Sequence, residues 1–236
     1  MTPAASASPF DGFQPEAIQF LVDLAANNER TWFQPRKAEY ERLLKVPLEQ
    51  LCSALDERFR ARGIPLSADP GRSPFRIYRD VRFSKDKSPY KTHVSASFPW
   101  AEAGGAMPSH ADEGGNPGGY FHLSPGEAYV GGGMWRPAPG KLAAFRAAVV
   151  GDPAAFHAIV DAPAFRDGFG GISGELLKRV PSGFPADHPE ADLLKHKDIT
   201  FGHRLADRDI YSPALPDVIA DAFEVAAPLM RFLARL

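Results

Sequence analysis

The chain has 236 residues, 44% of them hydrophobic, and a formal net charge of −2. That length holds one large domain or two small ones, and the near-neutral charge excludes a polybasic protein that coats nucleic acid, so anion binding has to come from a local patch. The single cysteine, Cys52, excludes an intramolecular disulfide and a cysteine-rich zinc site.

The N-terminus, "MTPAASASPF", lacks the basic start and continuous apolar core of a signal peptide. No run approaches the ~18 apolar residues of a membrane span, so no membrane partner and a cytoplasmic setting are expected. Residues 1–9 are small, polar or Pro and predict a flexible tail ahead of a 10–236 domain. "GFQPEAIQFLVDLAANNERTWF" places Pro15 near a helix start and repeats apolar residues at Ile18, Leu21, Val22 and Leu24, an amphipathic helix. A second helical run from about Pro35 to Arg62 carries Tyr40, Leu43, Leu44, Leu48, Leu51, Leu55 and Phe59. Pro47 is expected to kink or split it, Gly63 to cap it, and Cys52, on its apolar stripe, to be packing rather than a reactive thiol.

From about Arg72 to Trp135 the pattern changes to strands and turns. Phe75, Ile77, Val81 and Phe83 share one parity, and Arg76, Tyr78, Asp80 and Arg82 the other. "KTHVSASF" alternates too, a Gly-rich loop follows from about Ala101 to Gly118, and "GYFHLSPGEAYVGGGMW" predicts a hairpin turning at Ser124 to Glu127. Beyond Pro139 helices return: "GKLAAFRAAVV", then "DPAAFHAIV" with Asp152 as N-cap and Pro153 at the first position, and a short helix in "ADHPEADLLKHKD" introduced by Asp187 or His188. "ITFGHRL" reads as one more strand, and "PDVIADAFEVAAPLMRFLARL" as a closing amphipathic helix interrupted at Pro228. With no internal repeat and no polar linker, the expected architecture is one α+β domain, a mostly antiparallel sheet with helices packed on one face.

"RIYRDVRFSKDKSPYKTH", residues 76–93, sets six Arg or Lys against two Asp. If the 75–83 and 91–98 strands pair around "SKDKSPY" and the 119–135 hairpin joins them, Phe75, Ile77, Val94, Ala96, Phe98, Phe121, Leu123, Val130 and Met134 face the helices. Arg76, Tyr78, Arg82, Lys91, His93, Ser95, Tyr120, His122, Tyr129 and Trp135 then form an opposite, aromatic and basic face, with Gly131 and Gly133 leaving room beside it. Such a face stacks a planar group and neutralises phosphate or carboxylate. Arg79, Lys85 and Lys87 are neighbouring candidates, and Arg79, which strict alternation turns inward, predicts a bulge, a strand end before it or a buried carboxylate partner. The competing expectation is a solvated polar face with its charges paired locally.

Other motifs are weaker. Ser88 to Lys91 matches S-x-x-K without the companion motifs of serine acyl-enzymes. Gly131 to Gly133 precedes no helix, which favours close backbone packing over a phosphate loop. The histidines, His188 and His196 among them, are too scattered to form a metal constellation, so no metal is expected. Lys178, Arg179, Lys195 and Lys197 form a second basic cluster, most simply charges at helix C-termini.

The blocks "GFQPEAIQFLVDLAANNERTWF", "RIYRDVRFSKDKSPYKTH", "GYFHLSPGEAYVGGGMWRP", "LKRVPSGF" and "HPEADLLKHKD" together resemble the uncharacterised family called domain of unknown function 2461, found in bacteria and fungi, over Phe10 to Leu233. The resemblance implies one domain of this length in an essentially cytosolic setting. It brings no assigned activity, cofactor or catalytic residue. On the residues, the leading expectation is an anionic, phosphate-bearing small molecule or nucleotide bound on the sheet face. One alternative is an enzyme using His93 or His122 there as acid or base; another is an RNA-binding or protein-interaction module.

Overall fold

The computed structural model describes residues 9–82, 84–100 and 116–236. The expected tail up to residue 8, Phe83, and residues 101–115 of the expected loop lie outside them. Helix α1 (Pro15–Ala26) begins at its proline and buries Ala17, Phe20, Leu21 and Leu24. A longer helical stretch follows: α2 (Arg30–Phe33), a 3-10 turn (Gln34–Arg36), α3 (Lys37–Tyr40), a π turn (Glu41–Lys45) and α4 (Val46–Ala61). Pro47 does not split it. The π turn lies just ahead of Pro47 and widens the hydrogen-bond ladder where the proline supplies no N–H and where, in a regular α-helix, its ring would clash with the carbonyl four residues back. Gly63 follows α4 with φ +63°, as expected of a helix stop.

Four antiparallel strands, β1 (Val94–Pro99), β2 (Gly118–Ser124), β3 (Glu127–Met134) and β4 (Ile199–Arg204), form one sheet in that order. Between β3 and β4 come α5 (Pro139–Gly151), α6 (Pro153–Val160), α7 (Pro163–Phe169) and α8 (Ala191–Leu194); α9 (Asp207–Ile210) and α10 (Leu215–Ala234) close the chain. Asp152 caps α6 as expected, accepting from the Ala155 N–H at 3.0 Å. The short α7 and α9 were not expected. Helix α10 runs through Pro228 uninterrupted: Pro228 and Glu224, whose carbonyl loses its partner, are both exposed, so water satisfies what the helix does not. Among the described residues no single helix is long and apolar enough to cross a membrane, and α5 and α6 are bent by 100° at their junction.

Residues 75–82 of the expected 75–83 strand form no strand. The chain there makes two isolated bridges, Pro74 with Ala96 and Tyr78 with Tyr90. Four residues separate the bridges on one side and six on the other, so two extra residues between Tyr90 and Ala96 bulge out and ladder pairing stops. Phe75 is a second correction: paired beside Ser95 instead of Val94, it leaves the core side and meets the Tyr120 ring at 6.2 Å on the other face.

Helices α4, α7 and α10 cover one sheet face. Phe223 of α10 sits at the centre, in ring contact with Phe59, Phe98 and Phe201. It lies so close that a Cβ on Gly119 would stand 2.7 Å from its ring. Arg58 grips Asp217 with two 2.9 Å hydrogen bonds, and Arg62 reaches Asp217 and Asp221, tying α4 to α10. Gly131 to Gly133 lie inside β3, away from any helix start, and serve close packing. At Gly133, φ is +112° and a Cβ would fall 2.1 Å from the Ile199 carbonyl oxygen. Gly133→Ala is therefore expected to cost about 3 kcal/mol or more in urea unfolding. Gly140→Ala, in α5 with nothing near its missing Cβ, is expected to be neutral or stabilising by up to about 1 kcal/mol.

Candidate functional site

The register gathers part of the predicted set on the face opposite α10. Ser95, His122, Tyr129 and Arg204 lie in one row across the sheet, with Ser97 and Tyr120 in the next. His122 is the hub. Its ring stacks on Tyr129 at 5.0 Å and lies 4.6 Å from His93, while Tyr120 approaches Tyr129 at 5.9 Å. Lys91 extends over Phe75, 4.9 Å from the ring centroid.

A hydrogen-bond chain fixes the His122 tautomer. Ser124 donates its hydroxyl proton to the Glu127 carbonyl at 3.3 Å, so its oxygen accepts from His122 Nε2–H at 3.1 Å. His122 Nδ1 is then bare and accepts from the Tyr120 hydroxyl at 3.2 Å, and Ser95 in turn hydrogen-bonds Tyr120. Ser95 is buried, so the chain runs from the sheet interior toward the hairpin turn. Burial lowers the His122 pKa despite nearby Glu127, and raises those of Tyr120 and Tyr129. All three side chains are neutral at pH 7. His93 goes further: burial, then His122 and Lys91, push it down to about 4, and its ring nitrogens make no hydrogen bond among the described residues. The Lys91 pKa is lowered by burial and by Arg76, and no carboxylate lies within ion-pair distance of it among the described residues.

The remaining predicted residues are elsewhere. Arg79 pairs with Asp86, an exposed carboxylate where a buried one was expected. Arg82 pairs with Asp80 at 2.7 Å and Lys87 donates to the Val81 carbonyl at 2.9 Å, so the 79–88 loop largely satisfies its own charges. Lys85 is exposed in the same loop. Arg82 therefore leaves the face, because its partner is two residues away in the chain. Trp135 lies past the end of β3, 63% exposed, with the Arg136 guanidinium 4.7 Å from its ring. Arg76 and Tyr78 also leave: the even-to-even pairing of Pro74 with Ala96 turns them toward α3 and the π turn, where they line a cleft. Ser124, missed earlier, shares the parity of Tyr120 and His122; Phe75 carried no signal that sets it apart from a core residue.

The other motifs resolve into structure. Ser88 spends its hydroxyl on Asp86 at 2.6 Å. His157 is held between Asp161 and Glu190, His188 accepts from the Glu190 N–H, and His196 and His203 bond backbone carbonyls. No cluster able to hold a metal occurs among the described residues. Lys178 and Arg179 lie in an irregular segment and not at a helix end, Lys195 pairs with Asp192 and Lys197 with Glu175. Cys52 is buried, and burial raises its pKa, which makes it inert packing.

His93 sets the acid behaviour of this face. Unfolded, the imidazole takes a proton below its ordinary value of 6.5; folded, it stays neutral to about 4. The unfolded chain binds more protons in that window, so stability rises with pH from about 4 to 6.5, with His122 acting in the same direction. His93→Gln is expected to flatten the urea-midpoint profile across that range. An imidazole NMR titration of His93 is expected to show no protonation above pH 5.5 or so.

No curated protein and no solved structure matches the chain. A family model described as a conserved hypothetical protein, DUF2461, matches residues 16–232. With nearly its whole length matched, this chain belongs to the DUF2461 family.

Proposed function

We propose that the protein binds an anionic, phosphate-bearing small molecule or nucleotide on the sheet face opposite α10. The carrying observation is Lys91: a half-buried ammonium beside His93 with no carboxylate to balance it among the described residues. Leaving a cation partly desolvated and unpaired is costly unless an anion completes the site. Around it, Tyr129 and Tyr120 offer ring surface for stacking, and neutral His93 offers one donor and one acceptor. The cationic part of the site is narrower than the sequence expectation, since Arg79, Arg82 and Lys87 have partners of their own.

A second reading, an enzyme on the same face, draws on the Ser95–Tyr120–His122–Ser124 chain. Both ring nitrogens of His122 are engaged, so it relays or positions, and His93 is the group available to take or give a proton to a bound molecule.

A thermal-shift screen against nucleotides, sugar phosphates, dicarboxylates and short RNA tests the proposal. A ligand at one hundred times its Kd adds about 2.7 kcal/mol, which for a chain of this size raises Tm on the order of 5 to 10 °C. Lys91→Met is expected to fold and to weaken the stabilising ligand at least about tenfold, as loss of a charged hydrogen bond does. Arg82→Ala is expected to leave the shift intact. A phosphate-dependent shift retained in Lys91→Met, or no shift with any phosphate compound, contradicts the site; a shift with RNA alone favours the nucleic-acid reading.

A further inference from the structure

The segment that turns Arg76 and Tyr78 away from the sheet face leaves one strand edge open. In the non-hydrogen-bonded bridges Pro74–Ala96 and Tyr78–Tyr90, the ladder bonds come from the flanking residues: Phe75 N–H to the Ser95 carbonyl at 2.9 Å, Lys91 N–H to the Ile77 carbonyl at 2.8 Å, Arg79 N–H to the Pro89 carbonyl at 2.9 Å. The N–H and C=O groups of Arg76 and Tyr78 therefore point to the opposite edge, and they make no backbone hydrogen bond among the described residues. On the Tyr90 side the same situation is resolved within the protein. The Asn28 amide accepts from the Tyr90 N–H and donates to its carbonyl, both at 3.0 Å, standing in for a further strand. Among the described residues nothing comparable serves Tyr78.

A cleft of about 350 Å³ runs along this edge, within the size range of ligand pockets. Its far wall is the helical stretch around the π turn. Phe33, Leu48 and Ile77 give it an apolar floor and Tyr78, 44% exposed, an aromatic rim. The rim charges on the helical wall cancel in pairs, Lys37 with Glu41 and Lys45 with Glu49, each at 3.7 Å. Arg76, which lines the same cleft, has no ion pair or hydrogen bond of its own among the described residues.

We infer that this cleft binds a short extended peptide carrying a carboxylate, which adds as a strand to the Arg76–Tyr78 edge and pairs its carboxylate with the Arg76 guanidinium. The donors and acceptors of Arg76 and Tyr78 recur at the two-residue period that a peptide backbone matches, the floor accepts an apolar side chain between them, and the Arg76 guanidinium, which makes no ion pair among the described residues, selects an acid. The site is distinct from the sheet face of Lys91 and His93, lying across the 74–78 segment from it.

Affinity selection of a random library of acetylated tetrapeptides with free carboxyl ends, read by mass spectrometry on the whole protein, tests this. Acidic members are expected to be enriched at least tenfold over their C-terminal amides, with Asp or Glu replaced by Asn or Gln. The enrichment is expected to vanish in Arg76→Gln and to persist in Lys91→Met, which separates this site from the sheet-face proposal. In the selected peptide, N-methylation of one backbone amide is expected to lower affinity at least tenfold, and amide hydrogen exchange at Arg76 and Tyr78 to slow on binding. No enrichment of acidic peptides overturns the inference, as does enrichment indifferent to both Arg76→Gln and N-methylation. Arg76 is exposed, so Arg76→Gln is expected to fold as wild type, and an unchanged circular dichroism melt verifies it.

Discussion

The arrangement depends on one burial event: Phe223 of α10 pressed into the middle of a four-stranded antiparallel sheet. The contact needs a bare strand position at Gly119 and a ring of aromatics, Phe59, Phe98 and Phe201, to close around it. Once that face is committed to the core, the pleat decides the other. Every second residue of β1, β2 and β3 is sent away from α10, and the Ser95, Tyr120, His122 and Tyr129 side chains are brought together by the same register that buries Ala96, Phe121 and Val130. Burial then sets the chemistry of that face, holding His93 and His122 neutral beside Lys91, a cation with no ion pair among the described residues.

Much of this was legible in the residues. The alternation of Val94, Ala96 and Phe98 with Ser95 and Ser97, and of Phe121 and Leu123 with Tyr120 and His122, fixed the face of each strand residue, and the Ser124 to Glu127 turn fixed how β2 meets β3. What parity does not contain is how two strands pair. The 75–83 segment alternates well within itself, yet the two extra residues between Tyr90 and Ala96 change its partner register, so Phe75 and Arg76 exchange the faces expected of them. Charge pairing was equally hidden, because a sequence shows Asp80 near Arg82 and Asp86 near Arg79 without showing whether the loop folds them together. Prolines gave a further lesson: Pro47 and Pro228 both sit within helices, one relieved by a π turn and the other by facing solvent.

The 73–79 segment emerges as the divider of the molecule's polar surface. On one side it contributes Phe75, over which Lys91 extends; on the other it contributes Arg76 and Tyr78, whose backbone groups make no backbone hydrogen bond among the described residues, to a cleft walled by helix. The basic stretch that stands out in the sequence thus becomes three separate things: a cation on the sheet face, a cation at the cleft, and a loop whose ion pairs hold it closed. Membership of DUF2461 over residues 16–232 places all three within the family's matched region.

Anion binding at the proposed His93–His122–Tyr129 face is best tested by imidazole NMR on the protein's seven histidines during titration with nucleotides and sugar phosphates. Saturable movement of the His93 and His122 resonances is expected, with His157 and His188 staying in place. Titrations that leave His93 and His122 unmoved, or that move all histidines alike, contradict it.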